Sequence, residues 1–256
     1  MRSTRTSEYG NVRPGRMTHR PLLVLFTGTT IADVKTAFGD FDDQFRRGIG
    51  DAWRGTWARA DARDEGVGLP DAAAFAGVIV TGSAASVTER APWILRLEAW
   101  LRSAVAREVP LLGVCFGHQV LAQALGGQVR RNPAGRRLGS IEIRRVGDDP
   151  LFEGVPQRLA VSVSHEDHVG VAPPDVRQLA AADHDELHAF AAGPRARAVQ
   201  FHPEFQADVV RHYIASRREV LRGEGLDPDA LLASVVEPPY GAVILRNFVR
   251  HLVLAA

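Results

Sequence analysis

Lysine is almost absent: Lys35 is the only one, and arginine carries nearly all of the positive charge. No lysine therefore stands in a Gly-x-x-x-x-Gly-Lys-[Ser/Thr] context, which excludes that phosphate-binding loop. Cysteine is just as scarce. Cys115 alone excludes an intrachain disulfide framework and a Cys-based zinc cluster, and it suits a reducing, cytoplasmic compartment. Long apolar runs are missing as well: Val109 to Cys115 falls far short of the roughly 20 residues that cross a bilayer, so no membrane span is expected. Nor is there an excess of one charge. With 31 basic and 30 acidic residues the net charge is +1, which gives no field to attract nucleic acid or an anionic membrane. The stretch 1–19 holds several arginines but no apolar h-region, so it fails as a secretory signal. It is expected to be a disordered leader, with Met17 as an alternative start.

What is present is an alternation of short, β-branched apolar runs with helical patterns, over a length that can bury a sizeable core. PLLVLFTG (21–28), AGVIVTG (76–82) and VPLLGVC (109–115) look like buried strands, each ending at a turn. PWILRLEAWLRSAVARE (92–108) has apolar residues at helical spacing behind a proline, and FGHQVLAQALGG (116–127) is a helix closed by glycines. From 128 to 204 the character turns β-rich. QVRRNPAGRRLGSIEIRRV (128–146) resembles a hairpin around Asn132, followed by the strand-like RLAVSVSH (158–165), HAFAAG (188–193) and ARAVQFHPE (196–204). A helix over 207–222, a linker around 226–229 and an amphipathic helix over 241–253 complete the chain. The expected fold is α/β: a mostly parallel central sheet flanked by helices, with a β-rich second half. Residues 20–256 are expected to form a single domain with a C-terminal helical extension.

The segment Leu111-Leu-Gly-Val-Cys-Phe-Gly-His-Gln119 runs a buried strand straight into a helix through Gly-x-Cys-x-Gly. Such a turn strains the nucleophile at the strand's end, while Gly113 and Gly117 allow backbone packing that a Cβ would obstruct. The thiol then sits at a helix N-terminus, where free N–H groups and the macrodipole favour thiolate. A lone cysteine is by default a core residue. Two glycines at fixed offsets, followed by His118-Gln119 and a helical pattern, reverse that default.

Ala198-Val-Gln-Phe-His-Pro-Glu204 supplies a base and a carboxylate two residues apart. Pro203 biases His202 towards an extended conformation, which puts the His202 and Glu204 side chains on one side. Glu204 can then fix the imidazole tautomer, so that the other ring nitrogen takes the thiol proton. The order Cys, His, Glu also differs from the nucleophile, acid, base order of the α/β-hydrolases.

Taken together these residues resemble the class I, triad-type glutamine amidotransferases. The resemblance rests on Gly113-Val-Cys-Phe-Gly-His-Gln119, on His202-Pro-Glu204, on Ile79-Val-Thr-Gly-Ser83, which is similar to the family's oxyanion turn, and on Ser164-His-Glu-Asp167, which is similar to the Ser-His-x-Asp stretch of the GMP-synthetase type. It implies a flavodoxin-like fold and no cofactor. It also implies that Cys115 attacks the γ-carboxamide of glutamine to give a γ-glutamyl thioester, with His202 and Glu204 completing the triad. Gly82, Ser83 and Phe116 would form the oxyanion hole, and Gln119, Val163, Ser164 and His165 would hold the substrate's α-amino and α-carboxylate ends. The family turn usually reads Gly-Gly-Pro, whereas this chain has Gly82-Ser83-Ala84, so position 83 must not need φ > 0.

The substrate is thus expected to be a small molecule, glutamine or a γ-glutamyl compound, with no nucleic-acid or membrane partner. A separate synthetase subunit could receive the ammonia, or the chain could act alone as a γ-glutamyl peptidase. Two other classes stand behind these: a metal hydrolase built on His165-Glu-Asp-His168 and His184-Asp-Glu-Leu-His188, neither of which matches His-Glu-x-x-His, and a catalytically silent interaction protein.

Overall fold

A computed structural model describes residues 20–255; the leader over 1–19 and the start at Met17 lie outside the described residues. Strands and helices are numbered in chain order. The central strands are short and wholly buried: β1 (Leu22–Phe26), β3 (Gly77–Val80), β4 (Leu111–Val114) and β11 (Ala196–Val199). With the edge strand β2 (Trp57–Asp61) they form a parallel array in the order β2-β1-β3-β4-β11. The sheet continues antiparallel through β10 (Asp185–Ala192), β9 (Val176–Ala182), β6 (Arg137–Arg145) and β7 (Arg158–His165), giving nine strands among the described residues. The expected α/β class, parallel first and β-rich later, is what the chain adopts.

Side-chain alternation along the strands divides the core into two layers. Leu22, Val24 and Phe26 face one side with Ile79, Leu112 and Val114, beneath α1 (Ala32–Phe38), α2 (Phe41–Ile49), α5 (Ala207–Ser216) and α8 (Gly241–Asn247). Leu23 and Leu25 face the other with Val78, Val80 and Leu111, beneath α3 (Pro92–Ala106) and α4 (Phe116–Ala124). The helices expected over 92–108 and 116–127 are these last two. The C-terminal helix packs on its own core: Ile244, Leu245, Phe248 and Val249 are fully buried, and α8 runs on through a π-turn over Phe248–Val253.

Three local expectations are corrected. The hairpin around Asn132 is not formed, because β5 (Gln128–Arg131) pairs antiparallel with β8 (Asp167–Val171) in a separate two-stranded sheet, while β6 pairs with β7 and β9. Asn132 does cap a turn, through Ala134 N–H to its Oδ1 and Gly135 N–H to its carbonyl. The strands on either side nevertheless bury apolar residues in different layers, Val129 with Leu121 and Leu138 with Val163, so they cannot share a face. The helix over 207–222 breaks at Arg217 into α5 and α6 (Arg218–Gly223). The linker around 226–229 opens α7 (Pro228–Ser234), whose N-terminus Asp227 caps by accepting from the Asp229 and Ala230 N–H groups.

Candidate active site

Cys115 ends β4 and begins α4, with φ 53° and ψ −101°, a conformation that costs a non-glycine residue about 1–3 kcal/mol. The packing around it explains how the strain is held. A Cβ at Gly113 would lie 2.6 Å from the Gly117 carbonyl oxygen, and one at Gly117 would lie 2.5 Å from that of Val80. Only hydrogens at both positions let the helix sit this close to the strands. Backbone bonds lock the turn, from Cys115 N–H to Val199 O (2.9 Å) and from Gly117 N–H to Thr81 O (3.2 Å).

His202 and Glu204 lie beyond the end of β11, the parallel neighbour of β4. His202 Nδ1 donates to Glu204 Oε1 at 2.7 Å, as Pro203 requires if both side chains are to share a side, and both are almost wholly buried. Burial alone would lower the His202 pKa. The Glu204 carboxylate and the adjoining Cys115 outweigh it and raise the value to about 10. With Nδ1 committed to Glu204, Nε2 is the nitrogen left for the thiol. Phe205 stacks on the imidazole at 4.1 Å between centroids, and Phe41 lies parallel at 6.4 Å. Neither phenylalanine carried a motif. Behind the turn, Gly241 at the start of α8 abuts Pro203, where a Cβ would come within 2.3 Å of the proline carbonyl oxygen.

The turn after β3 brings Gly82 against the same pair: a Cβ there would stand 3.0 Å from His202 Cε1 and 3.7 Å from Cys115 Cβ. Ser83 is not among the residues with positive φ, so serine meets no backbone penalty there. Its hydroxyl donates to Thr27 O at 2.7 Å and accepts from Ala85 N–H at 3.1 Å, which braces the turn from inside. Among the described residues, neither the Ser83 nor the Phe116 backbone N–H has a hydrogen-bond partner. Two free donors beside the thiol are the arrangement that an oxyanion requires.

The substrate-side residues divide. Ser164 and His165 line the cavity, and the Cys115 thiol donates to Ser164 O at 3.6 Å. Val163 sends its side chain into the core, leaving only its backbone. Gln119 also lines the cavity, with its Nε2 donating to Asp167 O (2.8 Å) and to Gln200 Oε1 (3.1 Å). That spends both amide hydrogens and leaves its Oε1 as an acceptor suited to an ammonium group. Around these residues the cavity holds about 400 Å³, and Ser86, Glu166, Asp167, Phe205, Tyr213 and Arg217 also line it. The last three went unnoticed in the sequence. Phe205 follows Pro-Glu directly and could have been singled out, but Tyr213 and Arg217 are ordinary helix residues until the fold brings them here. The two His-rich segments meet only through His165 and His188, whose ring centroids lie 6.1 Å apart; His168 meets Arg130, His188 is paired inside the protein with Asp185, and no three metal-binding side chains cluster among the described residues.

Residues 56–218, more than half of the chain, match the family model for glutamine amidotransferase class-I. A GMP synthase [glutamine-hydrolyzing] of Thermomicrobium roseum is 34% identical over 67% of this chain, but the match spans only 26% of that protein's length. A glutamine amidotransferase-like protein of Schizosaccharomyces pombe is 27% identical over 79% of this chain and 84% of its own. Among solved structures, a glutamine amidotransferase from Thermotoga maritima superposes with a TM-score of 0.72 over 92% of this chain and 99% of its own, at 23% identity, which speaks to the fold.

Proposed function

From a chain that belongs to the class-I glutamine amidotransferase family, a family of enzymes, we propose a hydrolase that cleaves the γ-amide of glutamine through a thioester on Cys115. The observation that carries this reading is the Cys115 turn beside a His202 whose tautomer is fixed by Glu204 at 2.7 Å. His202, whose raised pKa keeps its ring protonated at neutral pH, holds the thiol proton on Nε2 as Sγ attacks the γ-carbonyl carbon. The oxyanion so formed accepts from the Ser83 and Phe116 N–H groups; a donor of this kind is worth about 100- to 1,000-fold in rate. His202 returns the proton to the leaving nitrogen, ammonia departs, and the γ-glutamyl thioester remains. Water, deprotonated by the same nitrogen, then releases glutamate and restores the thiol. Gln119 Oε1 and the backbone at Ser164 and His165 receive the substrate's α-amino and α-carboxylate groups. Residues 20–256 act as one glutaminase domain with a C-terminal helical extension, in the cytoplasm.

In the first reading a separate synthetase receives the ammonia. A separate synthetase is supported by relatives such as a GMP synthase [glutamine-hydrolyzing] subunit from Archaeoglobus fulgidus, 34% identical over 42% of this chain. A second reading, an autonomous γ-glutamyl peptidase, is favoured by the cavity itself. Its volume of about 400 Å³ lies in the range of about 300–1,000 Å³ that accommodates ligands larger than glutamine, and it continues past His202 along Phe205 and Tyr213. Cys115→Ala should abolish glutamate release from glutamine and labelling by a glutamine-like electrophile; unchanged turnover would overturn the triad. Comparing glutamine with γ-glutamyl dipeptides separates the two readings. Activity on glutamine that rises only with a synthetase partner present excludes the peptidase.

A further inference from the structure

Into and behind the cavity wall runs a buried polar cluster whose side chains the proposed reaction does not use: His118, His165, Asp185, His188 and Gln200, each at most 6% exposed. Its hydrogen bonds can be counted atom by atom. His165 Nδ1 lies 2.9 Å from Asp167 O, and because a carbonyl only accepts, Nδ1 carries the hydrogen. Burial holds this ring neutral, with a pKa of about 3, so Nε2 carries a lone pair. That Nε2 is buried and has no partner. His118 likewise donates from Nε2 to Leu187 O (2.8 Å), leaving its Nδ1 as an acceptor. The remaining side-chain donor, Gln200 Nε2, is buried and makes no hydrogen bond; it acts on the His118 ring. Nothing donates to His165.

The His188 ring lies beside it, with ring centroids 6.1 Å apart and tilted by 58°. His188 is oriented in turn by Asp185, which accepts from its Nδ1 at 3.2 Å. His188 Nε2 and Asp185 Oδ1 are also buried and partnerless. The Nε2 lone pairs of His165 and His188 match the two hydrogens that one buried water donates. We propose that His188, held by Asp185, is a positioning residue for His165: it anchors one internal water whose two hydrogens go to the Nε2 atoms of His188 and His165, and that water is the donor that His165 Nε2 otherwise lacks. The ring so fixed pins the Asp167 carbonyl, which also takes Gln119 Nε2, so the pair sets the geometry of the wall formed by residues 164–167. This rests on the reading of that wall as the holder of glutamine's α-substituents. An unsatisfied buried acceptor is costly, so the loop would relax in its absence.

The test is His188→Leu, with glutaminase kinetics and ¹⁵N NMR of the histidine rings. KM for glutamine should rise roughly tenfold, the scale of one misdirected hydrogen bond, with kcat within about twofold. The His165 signal should pass from a pure Nδ1–H tautomer to a mixture. His188→Gln, which returns a polar end to the same place, should recover most of the KM. An unchanged KM with an unchanged tautomer overturns the proposal, and so does a fall in kcat at constant KM. If His188→Leu does not fold, Asp185→Asn, close in shape, should give the same shift in smaller degree, and no shift there is equally fatal. Should the wild type release no glutamate from any γ-glutamyl substrate, the functional reading fails, while the tautomer comparison still decides whether His188 positions His165.

Discussion

The parallel and antiparallel halves of the sheet divide the work. In the parallel half, β3, β4 and β11 lie side by side, and each carries one candidate reactive element just past its C-terminal end: the Ser83 turn, Cys115, and His202 with Glu204. This is where open α/β sheets place their ligands. The antiparallel half delivers no candidate reactive group. It builds the wall, through the loop between β7 and β8, and backs it with the polar cluster centred on His188 of β10. Parallel strands thus bring distant chemistry together by simple adjacency, whereas the wall depends on side chains bonding to one another in the interior.

The comparison is broken most sharply from the parallel side. Glu204→Gln leaves the volume unchanged but removes the charge that orients His202 and stabilises its protonated ring, and should lower kcat/KM by about 100- to 10,000-fold. It should also move the alkaline limb of the pH–rate profile down from about 10 towards the ordinary histidine value; a limb that stays in place would show that Glu204 does not govern His202. Next in size is Gly117→Ala, which drives a Cβ against the Val80 carbonyl. A loss of about 1–3 kcal/mol is expected in chemical denaturation, together with loss of electrophile labelling as the Cys115 turn is displaced.

How much could be read from the sequence follows the same division. Cys115, His202, Glu204 and the Ser83 turn were visible because each occupies a tight turn that admits few residue types, and because β1, β3 and β4 are wholly buried runs. The edge strand β2 was missed: Trp57–Asp61 is half-exposed and carries charge, as an unprotected edge should. The pairing of β5 with β8 was misread because a good turn at Asn132 says nothing about which layer each flanking strand must bury. Asp185 and His188 resembled a surface His-Asp segment, and only the strand pairing that buries β10 turns them into an interior pair.

The two halves should also respond oppositely to pH. His118 and His165, both facing β10, are held by burial at about 4 and about 3, against about 6.5 in an unfolded chain. Their depressed native values make their contribution whole above about 6.5, and it is lost as the pH falls through 4 to 3, by at most about 1.4 kcal/mol per pH unit for each histidine. His202 has a raised native value, so its contribution is whole below about 6.5 and is lost as the pH rises towards 10. Urea denaturation across this range should show the acid loss flatten in His165→Gln and the alkaline loss flatten in Glu204→Gln.

The smallest effect should come from the outer support of the wall. Arg136, only 12% exposed, binds Glu166 of the wall and makes a two-bond pair with Glu224 beyond the end of α6, at 2.6 and 2.8 Å. It thereby ties the helical extension to the substrate side of the cavity. Because Glu166 and Glu224 remain about a third exposed, water screens the pairs and their removal is worth about 1 kcal/mol or less. Arg136→Met, which keeps the apolar stem, should therefore leave kcat unchanged and raise KM by no more than about fivefold, the kinetic equivalent of that energy. The difference from the wild type should shrink further at high salt, where the wild-type pairs are already weakened. If Arg136→Met instead lowered kcat as strongly as Glu204→Gln, the antiparallel wall would share in the chemistry rather than hold the substrate for it.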